Sequence, residues 1–129
     1  MPKAKILFIE DDPDQIFLYE TKFKLEGYNI ISTINGTDGL KIAEDKKPEL
    51  ILLDIRLFEE DGIVVLKKLK ENAKTKNIPV IVFTNFDNEE TSKQALKLGA
   101  VDYIIKSKIV PNDIVNKVRE VLKIGTQSS

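Results

Sequence analysis

The chain has 129 residues, 42% of them apolar and 32% charged, which predicts one soluble globular domain with a single core. It contains neither histidine nor cysteine, which excludes histidine catalysis, histidine metal ligands, thiol catalysis and disulfides within the chain. Its net charge of −1 gives no reason to expect direct binding to nucleic acid or to an anionic membrane.

The N-terminal apolar run is short, because acidic residues interrupt it at Glu10. It is therefore not long enough for a signal peptide, and no other run approaches the length of a membrane span. We expect a cytoplasmic protein.

Short apolar runs alternate with helical patterns along the chain. The predicted elements are, in chain order, a strand over Ile6–Ile9, a helix from Pro13 to about Glu26, a strand over Tyr28–Ile34, a helix from Thr37 to about Asp45, a strand over Leu50–Leu53, a helix from Gly62, a strand over Val80–Phe83, a helix from about Asn88 to Leu98, a strand over Val101–Ile105 and a helix from Pro111. The fourth helix has a thin apolar face of Ala95, Leu96 and Leu98, so it is expected to be the least stable. Residues 1–124 are expected to form the domain and residues 125–129 a disordered tail.

This alternation predicts an α/β protein with a parallel sheet and helices on both of its faces. Right-handed crossovers restrict the strand order. The flavodoxin-like, doubly wound, five-stranded order 2-1-3-4-5 fits best.

Polar residues follow the apolar strands where each strand ends. Glu10 and Asp11 follow the first strand, Asp54 the third, Thr84 the fourth and Lys106 the fifth. Singly, each has an ordinary explanation as a turn residue, a β-former or a surface lysine. Because the carboxyl ends of parallel strands share one edge of the sheet, their joint placement favours a site.

The residue types indicate the chemistry of this site. Clustered carboxylates suit Mg²⁺, an ammonium and a hydroxyl suit an anion, and Asp54 lies between the two groups. An aspartate can act as the nucleophile that accepts a phosphoryl group. The set therefore predicts phosphoryl transfer to Asp54.

Several motifs follow one another at characteristic spacings. They are Ile-Leu-Phe-Ile-Glu10-Asp11-Asp12, Leu-Leu-Asp54-Ile-Arg-Leu, Asp61-Gly62, Val-Phe-Thr84 and Gly99-Ala100-Val-Asp102-Tyr103-Ile-Ile-Lys106. In order and spacing the chain resembles the receiver domains of two-component response regulators over essentially its whole length.

The resemblance implies a role for each site residue. Asp54 would accept a phosphoryl group from a phosphohistidine, and Thr84 and Lys106 would contact the phosphoryl oxygens. Mg²⁺ would be bound by Asp11, Asp54 and the main-chain carbonyl of Arg56, with Glu10 helping through water. Tyr103 would be the switch aromatic, turning inward as Thr84 moves and altering the face formed by the fourth helix, fifth strand and fifth helix.

The resemblance also implies partners. A sensor histidine kinase or a phosphotransfer protein would supply the phosphoryl group, and a downstream effector protein would bind the altered face. We expect a stand-alone receiver, monomeric or weakly dimeric, that is not an enzyme beyond its own phosphorylation and dephosphorylation.

The sequence departs from the family pattern at three places. Leu57-Phe58 stand where the family usually has Met-Pro, and Phe58 is predicted to be an exposed contact. Ser107 stands where a cis proline usually follows the lysine; a cis bond to a non-proline residue costs about 3 kcal/mol, so a trans bond is expected. Asn85 is larger than the usual residue after Thr84 and is predicted to slow access of water to the phosphoryl group.

Three alternatives stay open at this point. A pseudo-receiver would bind partners without phosphorylation. A small phosphatase with an aspartate nucleophile would use Asp12-Pro13-Asp14, which resembles the D-x-D of haloacid-dehalogenase-type enzymes. A flavin-binding domain would share the fold, but the acidic segment after the first strand does not suit a phosphate cradle.

Overall fold

Five strands and five helices alternate along residues 4–127, the part that the structure, a computed structural model, describes; side chains are described to residue 123. The elements are β1 Lys5–Ile9, α1 Pro13–Leu25, β2 Asn29–Thr33, α2 Gly36–Lys46, β3 Leu50–Leu53, α3 Gly62–Glu71, β4 Val80–Thr84, α4 Glu89–Lys97, β5 Asp102–Ile105 and α5 Pro111–Gln127. A two-residue hairpin, Arg56–Leu57 with Glu60–Asp61, follows β3, and a 3-10 turn, Lys106–Lys108, follows β5.

The five strands form one parallel sheet in the order β2-β1-β3-β4-β5. This is the doubly wound, flavodoxin-like fold predicted from the sequence. In the register of the sheet Ile9 pairs with Leu53, and Leu53 pairs with Val82. The carboxyl ends of the three central strands therefore lie side by side.

Helices cover both faces of the sheet. Buried side chains of α2, α3 and α4 pack on one face, and those of α1 and α5 pack on the other. Every residue of β3 is fully buried, as expected for a central strand whose side chains are all apolar. The residues just after β3 are therefore fixed by a strand that has a core on each side.

Helix caps follow the sequence signals. Asp12 caps α1 by accepting a hydrogen bond from the Asp14 N–H at 2.9 Å, and Pro13 is the first helical residue. Asn35 accepts from the Asp38 N–H at 2.8 Å, so α2 begins one residue earlier than predicted. These caps set the entry of the chain into both helices that follow the first two strands.

Two further predictions about the helices differ from the structure. Helix α5 runs to Gln127, so residue 124 lies inside a helix and residues 125–127 are helical rather than part of a tail. The rest of the predicted tail, residues 128–129, lies outside the described residues. On α4, Ala95 is fully buried, whereas Leu96 is 47% exposed and does not belong to the apolar face.

No helix within residues 4–127 is both long enough and apolar enough to cross a bilayer.

We expect Gly62→Ala to destabilise the protein by about 2 kcal/mol or more, because there is no room for a side chain at this position. A Cβ atom on Gly62 would lie 2.4 Å from the Asp54 carbonyl oxygen and 2.5 Å from the Ile55 Cα, both of which are main-chain atoms. Urea denaturation measures the loss.

Gly39→Ala is the matched control. Its Cβ would meet the Cδ1 atom at the flexible end of Ile9, at 2.6 Å, and alanine gains about 1 kcal/mol of helix propensity over glycine. We expect a change within about 1 kcal/mol. Equal losses in the two variants would contradict this account of Gly62.

Candidate functional site

A cavity opens at the carboxyl edge of the sheet. All five side chains that the sequence placed at strand ends line this cavity. Its lining residues are Glu10, Asp11, Asp12, Gln15, Asp54, Arg56, Thr84, Asn85, Phe86 and Lys106. The register of the sheet explains this arrangement, because the strands that carry these residues end next to one another.

The ammonium of Lys106 lies between two buried carboxylates. Its Nζ is 3.2 Å from Oδ2 of Asp54, and it also donates to Oε1 of Glu10. The side chains of Lys106, Glu10 and Asp54 are only 6%, 1% and 9% exposed. Buried charges require partners, and here one cation serves two acids from different strands.

Glu10 is the most deeply buried acid of the site. Its Oε2 accepts hydrogen bonds from the N–H groups of Asp11 at 3.0 Å and Asp12 at 3.1 Å. Burial raises the pKa of Glu10 to about 7, against the opposing effects of the hydrogen bond and charge of Lys106 and with a further rise from the charge of Asp54. Glu10 therefore gives up its proton less readily than a solvated glutamate.

Asp54 directly follows β3 and is held at both of its oxygens. Oδ1 accepts a hydrogen bond from the Arg56 N–H at 3.0 Å, and Oδ2 faces Lys106. The carboxylate nevertheless lines the cavity, so one side of it is reachable from solvent. The main-chain carbonyl of Arg56 as a magnesium ligand stays a prediction.

Asp11 is bound to the loop that follows Asp54. Its Oδ2 accepts a hydrogen bond from the Phe58 N–H at 2.6 Å. Phe58 is 77% exposed, as the sequence predicted, while its role as a contact stays a prediction. The hydrogen bond to Asp11 is made by its main chain. The segment between β3 and α3, where the sequence predicted no helix or strand, forms a short hairpin.

The acidic side chains offer the oxygen donors that Mg²⁺ prefers. Glu10, Asp11 and Asp54 line the same cavity. However, no group of three carboxylates in residues 4–127 converges closely enough to hold a metal ion. Lys106 and the Phe58 N–H already bind oxygens of these three acids. The donor types therefore fit Mg²⁺, while their arrangement is not a preformed set of metal ligands.

Thr84 is fully buried at the end of β4, and its Oγ1 accepts a hydrogen bond from the Phe86 N–H at 3.1 Å.

Tyr103, on β5, is bound to the same residue from the other side of its main chain. The hydroxyl of Tyr103 donates to the Phe86 carbonyl at 2.5 Å. Burial raises the pKa of Tyr103, and the charges of Asp54 and Asp87 raise it further. Tyr103 is therefore a neutral hydrogen-bond donor here, and its inward turn on activation stays a prediction.

The position after Lys106 behaves as expected without proline. No peptide bond in the described range is cis, so the Lys106–Ser107 bond is trans. The Ser107 N–H donates to Oδ1 of Asn85 at 2.8 Å, which joins the segments that follow β5 and β4. Lys106 consequently reaches the site although the usual proline is absent.

Three site features were missed in the sequence. They are the Phe58 N–H, the amide side chain of Asn85 as an acceptor, and Phe86, whose ring lies 4.0 Å from the Arg56 guanidinium carbon. The sequence signal for the Phe58 N–H and for the acceptor role of Asn85 is the absence of proline at positions 58 and 107. A residue other than proline has a main-chain N–H that can donate a hydrogen bond.

The chain is similar to known proteins over most of its length. The family profile of the response regulator receiver domain matches residues 6–119. PilH of Pseudomonas aeruginosa is 31% identical over 103 residues, which are 80% of this chain and 85% of PilH. The chain belongs to the response regulator receiver domain family, and it is a receiver of two-component signalling.

A longer relative matches only in part. The transcriptional regulatory protein ZraR of Salmonella typhimurium is 38% identical over 104 residues, which are 81% of this chain and 23% of ZraR. The chain therefore spans about a quarter of that protein's length.

Solved structures agree on the fold. A CheY-like receiver domain protein from Methanospirillum hungatei has a TM-score of 0.90 and 26% identity, with 98% of each chain covered. The receiver domain of the sensor histidine kinase PA1611 from Pseudomonas aeruginosa, solved with a magnesium ion in its active-site cleft, has a TM-score of 0.83 and 22% identity, covering 93% of this chain and 98% of that one.

We expect Lys106→Ala to lower the free energy of unfolding by about 3 kcal/mol, because it leaves two buried carboxylates without their shared cation. Lys108→Ala is the control. Lys108 pairs with Asp87 at 2.8 Å, but these side chains are 66% and 59% exposed, so about 0.5 kcal/mol is expected. Equal losses in urea denaturation would show that the buried pair adds nothing over the exposed one.

Proposed function

We propose that this receiver accepts a phosphoryl group on Asp54 from the phosphohistidine of a sensor histidine kinase or a phosphotransfer protein. The observation that carries the proposal is the position of Asp54, which lines an open cavity with Lys106 Nζ 3.2 Å from its Oδ2 and with Thr84 in the lining of the same cavity. Membership of the receiver family supports the same reaction.

In the proposed reaction an oxygen of Asp54 forms the new P–O bond. The P–N bond of the phosphohistidine breaks, and its electron pair returns to the imidazole nitrogen. The protein contributes mainly alignment and charge neutralisation, which is what phosphoryl transfer needs. The Arg56 N–H orients one carboxylate oxygen at 3.0 Å. Lys106 and the hydroxyl of Thr84 would contact the phosphoryl oxygens.

Magnesium is the proposed cofactor. Asp11, Asp54 and the main-chain carbonyl of Arg56 would hold it, and Glu10 would assist through water. When bound, Mg²⁺ neutralises negative charge that gathers on the phosphoryl oxygens. Support comes from the oxygen donors that line the cavity and from the magnesium ion in the cleft of the PA1611 receiver.

The proposed output is a change in the α4-β5-α5 face that an effector protein recognises. Tyr103 lies on β5 and is already hydrogen-bonded to the loop before α4. Phosphorylation adds charge and acceptor oxygens beside Thr84, which biases that loop. Beyond its own phosphorylation and dephosphorylation we propose no enzymatic turnover.

Incubation with acetyl phosphate and MgCl₂ tests the phosphoryl acceptor. We expect the intact mass to rise by one phosphoryl group in the wild type and not in Asp54→Asn, because the amide is not a nucleophile for this transfer. Asp14→Asn, which changes an acid outside the cavity lining, should still be modified. A wild-type protein that gains no mass would favour the pseudo-receiver, a module that binds partners without phosphorylation.

Thermal unfolding tests whether the native protein binds Mg²⁺. A ligand that binds only the native state stabilises it, by roughly 1.4 kcal/mol at ten times its Kd. We therefore expect MgCl₂ to raise the Tm of the wild type above that in NaCl of equal ionic strength. Asp11→Asn should lose most of this rise, since it removes a charged ligand. An unchanged wild-type Tm at millimolar MgCl₂ would count against the magnesium site.

A further inference from the structure

The hydrogen bond between Phe58 and Asp11 depends on a departure from the family pattern. The Phe58 N–H donates to Oδ2 of Asp11 at 2.6 Å, joining the loop after β3 to the segment after β1. The family usually has proline at this position, and proline has no N–H to donate. In this chain a proposed magnesium ligand is therefore already bound by a main-chain donor.

The loop that presents this donor is fixed at several points. Arg56–Leu57 pairs with Glu60–Asp61, and the side chain of Leu57 is buried. Oε2 of Glu60 accepts from the Gly36 N–H at 2.5 Å, and Oδ1 of Asp61 accepts from the Ile63 N–H at 2.9 Å, which caps α3. The Phe58 N–H is thus held against Asp11 by the fold and not by its own exposed ring.

We propose that the main-chain N–H of Phe58 lowers the magnesium affinity of the site, because it binds Oδ2 of Asp11 in the metal-free protein and has to release it when the cation binds. The proposal rests on the magnesium-dependent function argued above. A hydrogen bond to a charged carboxylate is stronger than one between neutral groups, and Mg²⁺ requires near-octahedral ligand geometry. The Phe58 N–H therefore competes with the cation for Oδ2 of Asp11.

The chain offers a pair of variants that separates the N–H from the ring. Phe58→Pro removes the N–H, whereas Phe58→Ala removes the ring and keeps the N–H. Residues 58 and 59 form the turn of the hairpin, and only Glu59 of the two has a positive φ, of 58°. Proline is favoured at the first central position of such a turn, so Phe58→Pro is expected to fold.

Calorimetric titration with MgCl₂ measures the effect. We expect Phe58→Pro to bind Mg²⁺ about tenfold more tightly than Phe58→Ala, which corresponds to one charge-assisted hydrogen bond that no longer has to be broken. Phe58→Ala should stay within about twofold of the wild type, because it keeps the donor. Equal or weaker binding by Phe58→Pro than by Phe58→Ala would overturn the proposal.

Amide NMR of the wild type tests the same step without any substitution. We expect the Phe58 amide proton to resonate downfield in the metal-free protein and to move upfield at saturating MgCl₂. A resonance that stays downfield when the metal is bound would overturn the proposal, whether or not Phe58→Pro folds.

Failure of the proposed function would look different. If neither the wild type nor Phe58→Pro binds Mg²⁺, the magnesium-dependent function itself fails. If both bind with the affinity of Phe58→Ala, the function stands and the role of the Phe58 N–H is wrong. Binding by Phe58→Pro alone would support the role of the Phe58 N–H, whereas the magnesium-dependent function of the wild type would fail.

Discussion

The ammonium of Lys106 is the contact on which the site depends. It joins the end of β5 to Glu10, after β1, and to Asp54, after β3, and all three side chains are almost fully buried. Two carboxylates so close together repel one another and lose hydration, so the sheet edge tolerates them because a cation lies between them. As a result, the negative charges of the site are already partly neutralised before any ligand binds.

The fold could be predicted from the sequence because its signals are local and consistent. The wholly apolar β3 and the regular alternation with helical patterns left little choice of strand order. The last residue of α5 was harder to predict. Its apolar stripe stops near Leu122, and the sequence pattern beyond that point does not indicate where the helix ends. Leu96 was misassigned for a related reason, since a thin apolar face leaves the rotation of α4 poorly determined.

The side chains of the site could also be predicted from the sequence, because they lie directly after the predicted strands. What could not be predicted were the contacts made by the main chain. Phe58 and Ser107 occupy positions where the family usually has proline, and each N–H finds an acceptor, Asp11 in one case and Asn85 in the other. A sequence comparison shows the missing prolines as losses, whereas the structure shows two added donors.

These two donors act on different parts of the site. The Ser107 N–H donates to Oδ1 of Asn85 at 2.8 Å. This hydrogen bond holds the main chain next to Lys106 in place, although the usual proline is absent. The Phe58 N–H binds Asp11, which is proposed to be a magnesium ligand. The departure at Ser107 therefore preserves the position of Lys106. The departure at Phe58 adds a donor that is proposed to compete with the metal for Asp11.

The segment after β4 connects the site to the face that is proposed to change. Phe86 donates its N–H to Thr84 Oγ1 at 3.1 Å, and its carbonyl accepts from the Tyr103 hydroxyl at 2.5 Å. Its ring also lies under the guanidinium of Arg56, two residues after Asp54. Because one residue makes all three contacts, we expect a displacement of Thr84 toward a phosphoryl group to disturb Tyr103 as well. The N–H and the carbonyl of Phe86 belong to adjacent planar peptide units, so only the φ and ψ angles of this residue separate the two hydrogen bonds.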